Sequence, residues 1–269
     1  MLIDTHCHLD AAEFDQDRDA VISRMQAAGI SGLVLPAVQV ADFSRVQQLA
    51  HANKGFAYAL GIHPLFVDRS REEDLDALES ALQACRDDPA LVAVGEIGLD
   101  HFVEGLDRDK QERFFDHQLR LALKFGLPVI LHVRRAQDTV LKYLRRRRPL
   151  TGIAHAFNGS VQQAAMFLNL GFALGFGGAM TFERSLRIRS LAASLPPEGV
   201  VLETDSPDIS PAWLHPARNE PAELQAIAAC MAQLRGISIE QLASRTADNV
   251  FRVLPRMSGL LSTAAKPAT

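Results

Sequence analysis

The chain has 269 residues, 48% of them hydrophobic, with a net charge of −4 and a pI near 6.1. That length suits one α/β barrel, and the slight acidic balance excludes a global positive field drawing the protein to nucleic acid or anionic lipid, so any polyanion must be gripped locally. No apolar run reaches the ~18 residues of a membrane span, no secretory leader opens the chain, and three widely spaced cysteines (Cys7, Cys85, Cys230) suit a reducing compartment.

The expectation is therefore a soluble cytoplasmic protein with no membrane association and no evident obligate protein partner. Along the chain, short β-branched apolar runs alternate with longer amphipathic ones, the pattern of βα units around a parallel sheet. The strands predicted are Met1–His6, Gly32–Ala37, Ala57–Ile62, Leu91–Ile97, Pro128–Val133, Gly152–Ala156, Phe172–Phe176 and Val200–Thr204. Eight of them point to an α/β fold of (β/α)8 barrel type in a single domain. Among the helices, Arg18–Ala28 is stopped by Gly29, and Gln111–Phe125 carries Phe114, Phe115, Leu119, Ala122 and Phe125 on a broad apolar face before Gly126. Ser238 with Gln241 reads as a capping box opening the last long helix. The barrel is expected over residues 1–257, and residues 258–269, small and polar, as a flexible C-terminal tail.

Active sites of such barrels gather where the strands end. Five strand ends carry six ligand-type side chains: His6 and His8, Glu96, His132, His155 and Asp205. A single interior histidine is more often satisfied core than ligand. Four histidines and two carboxylates on one rim are hard to explain by packing, which would choose Val, Ile or Leu. Mixed imidazole and carboxylate donors suit Zn²⁺, Mn²⁺ or Fe²⁺, and six donors exceed one tetrahedral ion, so two divalent ions bridged by Glu96 are expected. Strand alternation reserves His6 and His8 for the metal, sends Cys7 to the helix layer, and leaves Asp4 one step deeper, where it would orient an imidazole.

The blocks DTHCHLD, GIHP, GEIGLD, PVILHVR, HAFNGS, LETDSP and RNEP, in this order from about residue 2 to 252, resemble the TatD family of metal-dependent hydrolases and deoxyribonucleases, within the wider amidohydrolase-like barrels. The resemblance implies a phosphodiesterase acting on nucleic acid, commonly a 3′-end exonuclease using Mg²⁺ or Mn²⁺, and implies the same six ligands. Some relatives remove D-amino acids from tRNA, which keeps a deacylase or amidohydrolase as the alternative. His101 stands where the family usually has an aromatic residue, and Pro216-Ala217 where it usually has Gly-Lys; both departures fall in loops expected over the mouth.

Two divalent ions would activate a water for attack on the phosphodiester. Asp205 is the candidate to orient that water and take its proton, and His63 to donate a proton or bind phosphate, with a turn cap as the alternative for His63. Glu203, a further catalytic candidate, reads first as the partner that holds a ligand or cation in place. Arg134, on the side of His132, is a candidate phosphate clamp while Arg135 should face away; Asn158 in FNGS and Arg218 complete the substrate-binding candidates, though FNGS is equally a turn and helix cap. Trp213 is either a base-stacking platform or a lid over the mouth. The basic run Arg145–Arg148 falls between a helix and the next strand, on the opposite end from the ligands, and is not read as a nucleic-acid site.

Overall fold

The computed structural model describes residues 1–262. Eight parallel strands form one sheet in chain order: β1 (Leu2–Asp4), β2 (Ile30–Pro36), β3 (Phe56–Leu60), β4 (Leu91–Asp100), β5 (Val129–Arg134), β6 (Gly152–Ala154), β7 (Ala173–Phe176) and β8 (Val200–Leu202). Between and after them run α1 (Arg18–Ala27), α2 (Phe43–Ala52), α3 (Glu73–Ala84), α4 (Arg108–Phe125), α5 (Gln137–Arg146), α6 (Val161–Asn169), α7 (Leu186–Ser194), α8 (Leu224–Arg235), α9 (Ile239–Val253) and α10 (Arg256–Ser262). The first and last strands meet where the Thr5 N–H donates to the Leu202 carbonyl (3.1 Å) and the Asp205 N–H to that of His6 (2.8 Å). The fold is a (β/α)8 barrel.

The strands are apolar throughout because a parallel sheet covered by helices is buried on both faces. Two apolar layers result. Outside the sheet, Leu33, Leu35, Leu131 and Leu174 pack with Phe115, Leu119, Phe167 and Ile227 of the surrounding helices. Inside, small and branched residues (Ile3, Val34, Ala57, Ala59, Ile130, Ile153, Ala173, Val201) pack on Val250, Val253, Met257 and Leu261 of α9 and α10, which close the floor at the amino ends of the strands. Helix ends follow the sequence: Gly126 and Gly236 end α4 and α8 in left-handed conformation, and Ser160 and Ser238 each form a reciprocal capping box with the glutamine three residues on.

Two expectations change. The fourth strand runs on to Asp100: its register moves from Val94↔Val129 to Ile97↔Leu131, so three residue steps on β4 face two on β5. This bulge places Glu96 within the strand and turns its side chain inward. At the other end, residues 258–262 belong to α10, because Met257 and Leu261 are apolar and buried under the barrel; residues 263–269 of the expected tail lie outside the described residues.

Candidate metal centre

Glu96 is the centre of the arrangement, 2% exposed at the bulge. Its Oε2 faces His6 Nε2 (3.0 Å) and His8 Nε2 (3.5 Å), while its Oε1 faces His132 Nδ1 (3.0 Å), His155 Nε2 (3.0 Å) and His63 Nε2 (3.3 Å). Asp205 comes in from above β8, with Oδ1 3.5 Å from His6 Nε2 and 3.7 Å from His8 Nε2. All six residues expected as ligands converge, in two groups divided by the two oxygens of one carboxylate. His6 and His155 lie ring on ring, centroids 3.8 Å apart.

The imidazoles are held from behind. Asp100, which sequence reasoning passed over, accepts His132 Nε2–H at 3.0 Å through one oxygen and the backbone N–H groups of Phe102 and Val103 through the other. That bond leaves Nδ1 as the nitrogen His132 turns to Glu96. The signal was present: Glu96, Gly98 and Asp100 are two apart on one strand. Asp4 also departs from expectation. Its carboxylate accepts Thr204 Oγ1–H (2.6 Å) and the N–H groups of Thr204 (3.0 Å) and His6 (3.2 Å), so it ties β1 to the end of β8 and touches no imidazole. The reason is that β1 ends at Asp4, and alternation within a strand no longer governs the residues after it. Cys7 is fully buried in the helix-side layer, its Sγ 3.1 Å from Ser206 Oγ.

Whether these donors fit an ion follows from their spacing. Two ligand atoms about 2.1 Å from one ion stand roughly 3.0–3.4 Å apart in octahedral or tetrahedral coordination. The His6 Nε2–His8 Nε2 separation is 3.2 Å, and each of the sets His6–His8–Glu96, His6–His155–Asp205 and His63–Glu96–His132 keeps its donor atoms within 4.8 Å. The field also suits a cation. Burial would raise the Glu96 carboxyl, but His63, His155 and His6 hold it well below the usual range; burial would lower His8, yet Glu96, Asp205 and Asp10 carry it up to about 9. Burial pushes Asp205 up to about 6. The residues fit divalent ions of the kind that accept nitrogen with oxygen.

His63 differs from its neighbours. Its Nδ1 accepts the Leu65 N–H (3.1 Å), so in the neutral ring the proton sits on Nε2, 3.0 Å from His132 Nδ1. Burial pulls its pKa down to about 4. It is a neutral N–H donor aimed at the site, and the turn-cap reading holds at the same time.

Glu203 lies fully inside the barrel. One oxygen accepts the Ala156 N–H (2.5 Å) and stands 3.7 Å from His155 Nδ1; the other has no partner. It can sit there because residue 175 is glycine: a Cβ on Gly175 would lie 2.0 Å from Glu203 Oε2. Arg134 is exposed at the mouth, stacked 3.8 Å over the Phe102 ring. Asn158 is exposed too, its carbonyl accepting from Gln137 Nε2 (2.8 Å), and Ser160 caps α6, so FNGS forms the turn and cap that were its plainer reading. Arg218 is drawn away from the site. Its guanidinium forks on Asp17 (2.8 and 2.7 Å) and bonds the Glu13 carbonyl, while Glu220 pairs with Arg24, so the RNEP segment is a strap onto α1 whose donors are spent on protein. Trp213 is half exposed with its indole N–H bonded to Glu223 (2.7 Å).

The same arrangement of chain is found in known proteins. The family model described as TatD related DNase matches residues 3–255. The uncharacterized metal-dependent hydrolase YjjV of Escherichia coli is 37% identical over 250 residues, 93% of this chain and 96% of that one. Its crystal structure has a TM-score of 0.90 at 35% identity over 94% of this chain and 98% of its own. Human deoxyribonuclease TATDN3 is 31% identical over 269 residues, covering 97% of each chain. With no helix among the described residues long and apolar enough to cross a membrane, and with imidazoles and carboxylates gathered around Glu96, the chain belongs to the TatD family of metal-dependent hydrolases.

Proposed function

We propose that this hydrolase cleaves phosphodiester bonds of DNA from a strand end, with two divalent ions (Zn²⁺, Mn²⁺ or Mg²⁺) divided by the Glu96 carboxylate. The observation that carries the reading is the split of donors: one Glu96 oxygen faces His6 and His8, the other His132 and His155. On this reading His6, His8, Glu96, His132, His155 and Asp205 are the ligands. Bound there, such ions lower the pKa of a water toward ~7 and offset the charge of a phosphodiester oxygen.

The chain's own groups do the rest. Asp205, held at the rim by its N–H on the His6 carbonyl, orients the attacking water and takes its proton. His63 presents its Nε2–H to a phosphoryl or leaving oxygen, fixed in that tautomer by Leu65. Asp100 sets the ring plane of His132 through its hydrogen bond, and Glu203 stands behind His155, 3.7 Å from its Nδ1. Arg134 grips a neighbouring phosphate. The deoxyribonuclease name of the human relative supports a nucleic acid as substrate.

The test is hydrolysis of 3′-labelled single-stranded DNA by metal-loaded protein, beside a panel of aryl esters and D-aminoacyl-tRNA, with metal counted per chain. Stepwise release of nucleotides, about two ions per chain, and a loss of roughly 10²–10⁴-fold in Asp205→Asn are expected. Turnover of an ester or of D-aminoacyl-tRNA with intact DNA would establish the deacylase alternative in its place.

A further inference from the structure

Beyond the ligands, the mouth holds a group of side chains with no structural use. Phe102, in the loop after β4, is 41% exposed. The Arg134 guanidinium lies 3.8 Å from its ring centroid and that of Arg135 4.5 Å. Alternation along β5 directs Arg135 away from Arg134. It does not go: Arg135 has φ +54°, the left-handed region that a non-glycine residue adopts at a cost, and this turn brings its side chain back to the same ring.

Neither guanidinium makes a hydrogen bond or ion pair among the described residues. Two like charges sharing one ring repel each other, and no carboxylate pairs with either among the described residues. The supports beneath are firm. The His101 N–H bonds the Arg134 carbonyl (2.8 Å), Asp100 and Arg134 are partners in the β4–β5 register, and the same Asp100 carboxylate that holds His132 accepts the Phe102 and Val103 N–H groups. Phe102 and the arginines are thus built onto the strand ends that carry Glu96 and His132, with Arg134 roughly 6.6 Å beyond His132 along β5.

A ligand that resolves this arrangement must bring negative charge to two forked donors and a flat face to an aromatic ring. A nucleotide brings both. We propose that Phe102, Arg134 and Arg135 form a clamp for an unpaired strand, the arginines forking phosphates and the ring and guanidinium planes stacking a base next to the scissile bond. In a duplex that base face is covered by its neighbours, so the clamp selects single-stranded ends. This inference rests on the phosphodiesterase reading for the identity of the strand.

Fluorescence anisotropy of a labelled single-stranded oligonucleotide on metal-loaded Asp205→Asn protein tests it without turnover. Phe102→Ala should bind about tenfold more weakly and lose the parent's discrimination against an oligonucleotide carrying an abasic site. Arg135→Gln should lower the slope of log affinity against log salt by about 0.7 for the phosphate contact removed. Melting temperatures equal to the parent's show that both variants are folded. Binding and salt slope unchanged in both variants would overturn the clamp, as would displacement by polyglutamate equal to that by DNA with no effect of the abasic site, the signature of an acidic protein partner. A wild type that binds through these residues yet cleaves no DNA would leave the clamp standing and refute the phosphodiesterase reading. Cleavage with both variants binding as the parent would do the reverse.

Discussion

The two ends of the barrel use the same residue types for opposite purposes. At the floor, most polar side chains are consumed by the fold, although Arg235 keeps two buried nitrogens without partners. Arg256 donates to the carbonyls of Arg86, Asp88 and Leu91, Arg147 forks on Asp116, and beneath the strands Met257 and Leu261 pack with Ile3, Val34 and Ala57. At the mouth they are left over. Glu203 Oε2 and His155 Nδ1 are buried without partners, Arg134 and Arg135 share a ring instead of a carboxylate, and the left-handed non-glycine residues Arg135, Ala156, Asp205 and Ile209 all follow strands. Most of the exposed large apolar side chains, Leu65, Phe102, Val161, Leu186, Ile209 and Trp213, stand in segments following strands, while Met1 and Met166 are exposed elsewhere. Unspent bonding capacity is concentrated at the mouth; density of charge is not.

If that division is real, changes at the mouth abolish chemistry and spare the fold, and changes at the floor do the reverse. The largest effect is expected for Glu96→Gln, whose remaining oxygen cannot serve both groups of imidazoles. Metal content measured by elemental analysis should drop and hydrolysis should fall to background. A variant that keeps its full metal complement would show that the donors on either side of Glu96 suffice without it. At the floor, Leu261→Ala removes a side chain that is 2% exposed and packs near Gly32 and Gly55. It should cost about 2–5 kcal/mol in denaturant unfolding, with metal content and turnover per folded molecule unchanged.

How far the sequence shows this division depends on which physical signal carries it. Periodicity carries the barrel, since each strand must be apolar on both faces, and all eight were found within a few residues. It also carries the convergence of His132 and His155, which continue the inward faces of β5 and β6 through Ile130 and Ile153. It fails where a strand stops being regular. The bulge before Ile97 lengthens β4 and hides Asp100, the end of β1 removes Asp4 from the imidazoles, and the positive φ of Arg135 reverses its direction. Arg218 fails for another reason: its carboxylate partner Asp17 lies 201 residues away in sequence, and nothing local distinguishes a paired arginine from a free one.

A smaller change at the mouth sharpens the comparison by acting on no donor. Gly175→Ala would place a methyl 2.0 Å from Glu203 Oε2 and force that carboxylate away from His155. A loss behind a ligand of this kind is worth roughly 10–100-fold in metal affinity or activity, to be read by titrating metal-free protein with Mn²⁺ or Zn²⁺. Unchanged affinity and unchanged turnover together would remove Glu203 from the support of His155.

The smallest effect is expected where the charge is densest. Arg145–Arg148 end α5 and lead toward β6, at the floor, with Arg145 on the Met166 sulfur (3.1 Å) and Arg147 on Asp116 (2.6 and 2.8 Å). The Arg147 pair is partly exposed and shares Asp116 with Arg120, so its loss is screened and should cost no more than about 1 kcal/mol. Replacing all four arginines with Gln removes four positive charges from the side facing away from the metal centre. Oligonucleotide hydrolysis and its salt dependence should stay at wild-type values, and Arg147→Gln alone should reproduce most of any stability loss. Steering by net charge alone would slow the quadruple variant at low salt and recover in high salt, and that outcome would mean the floor contributes to substrate capture after all.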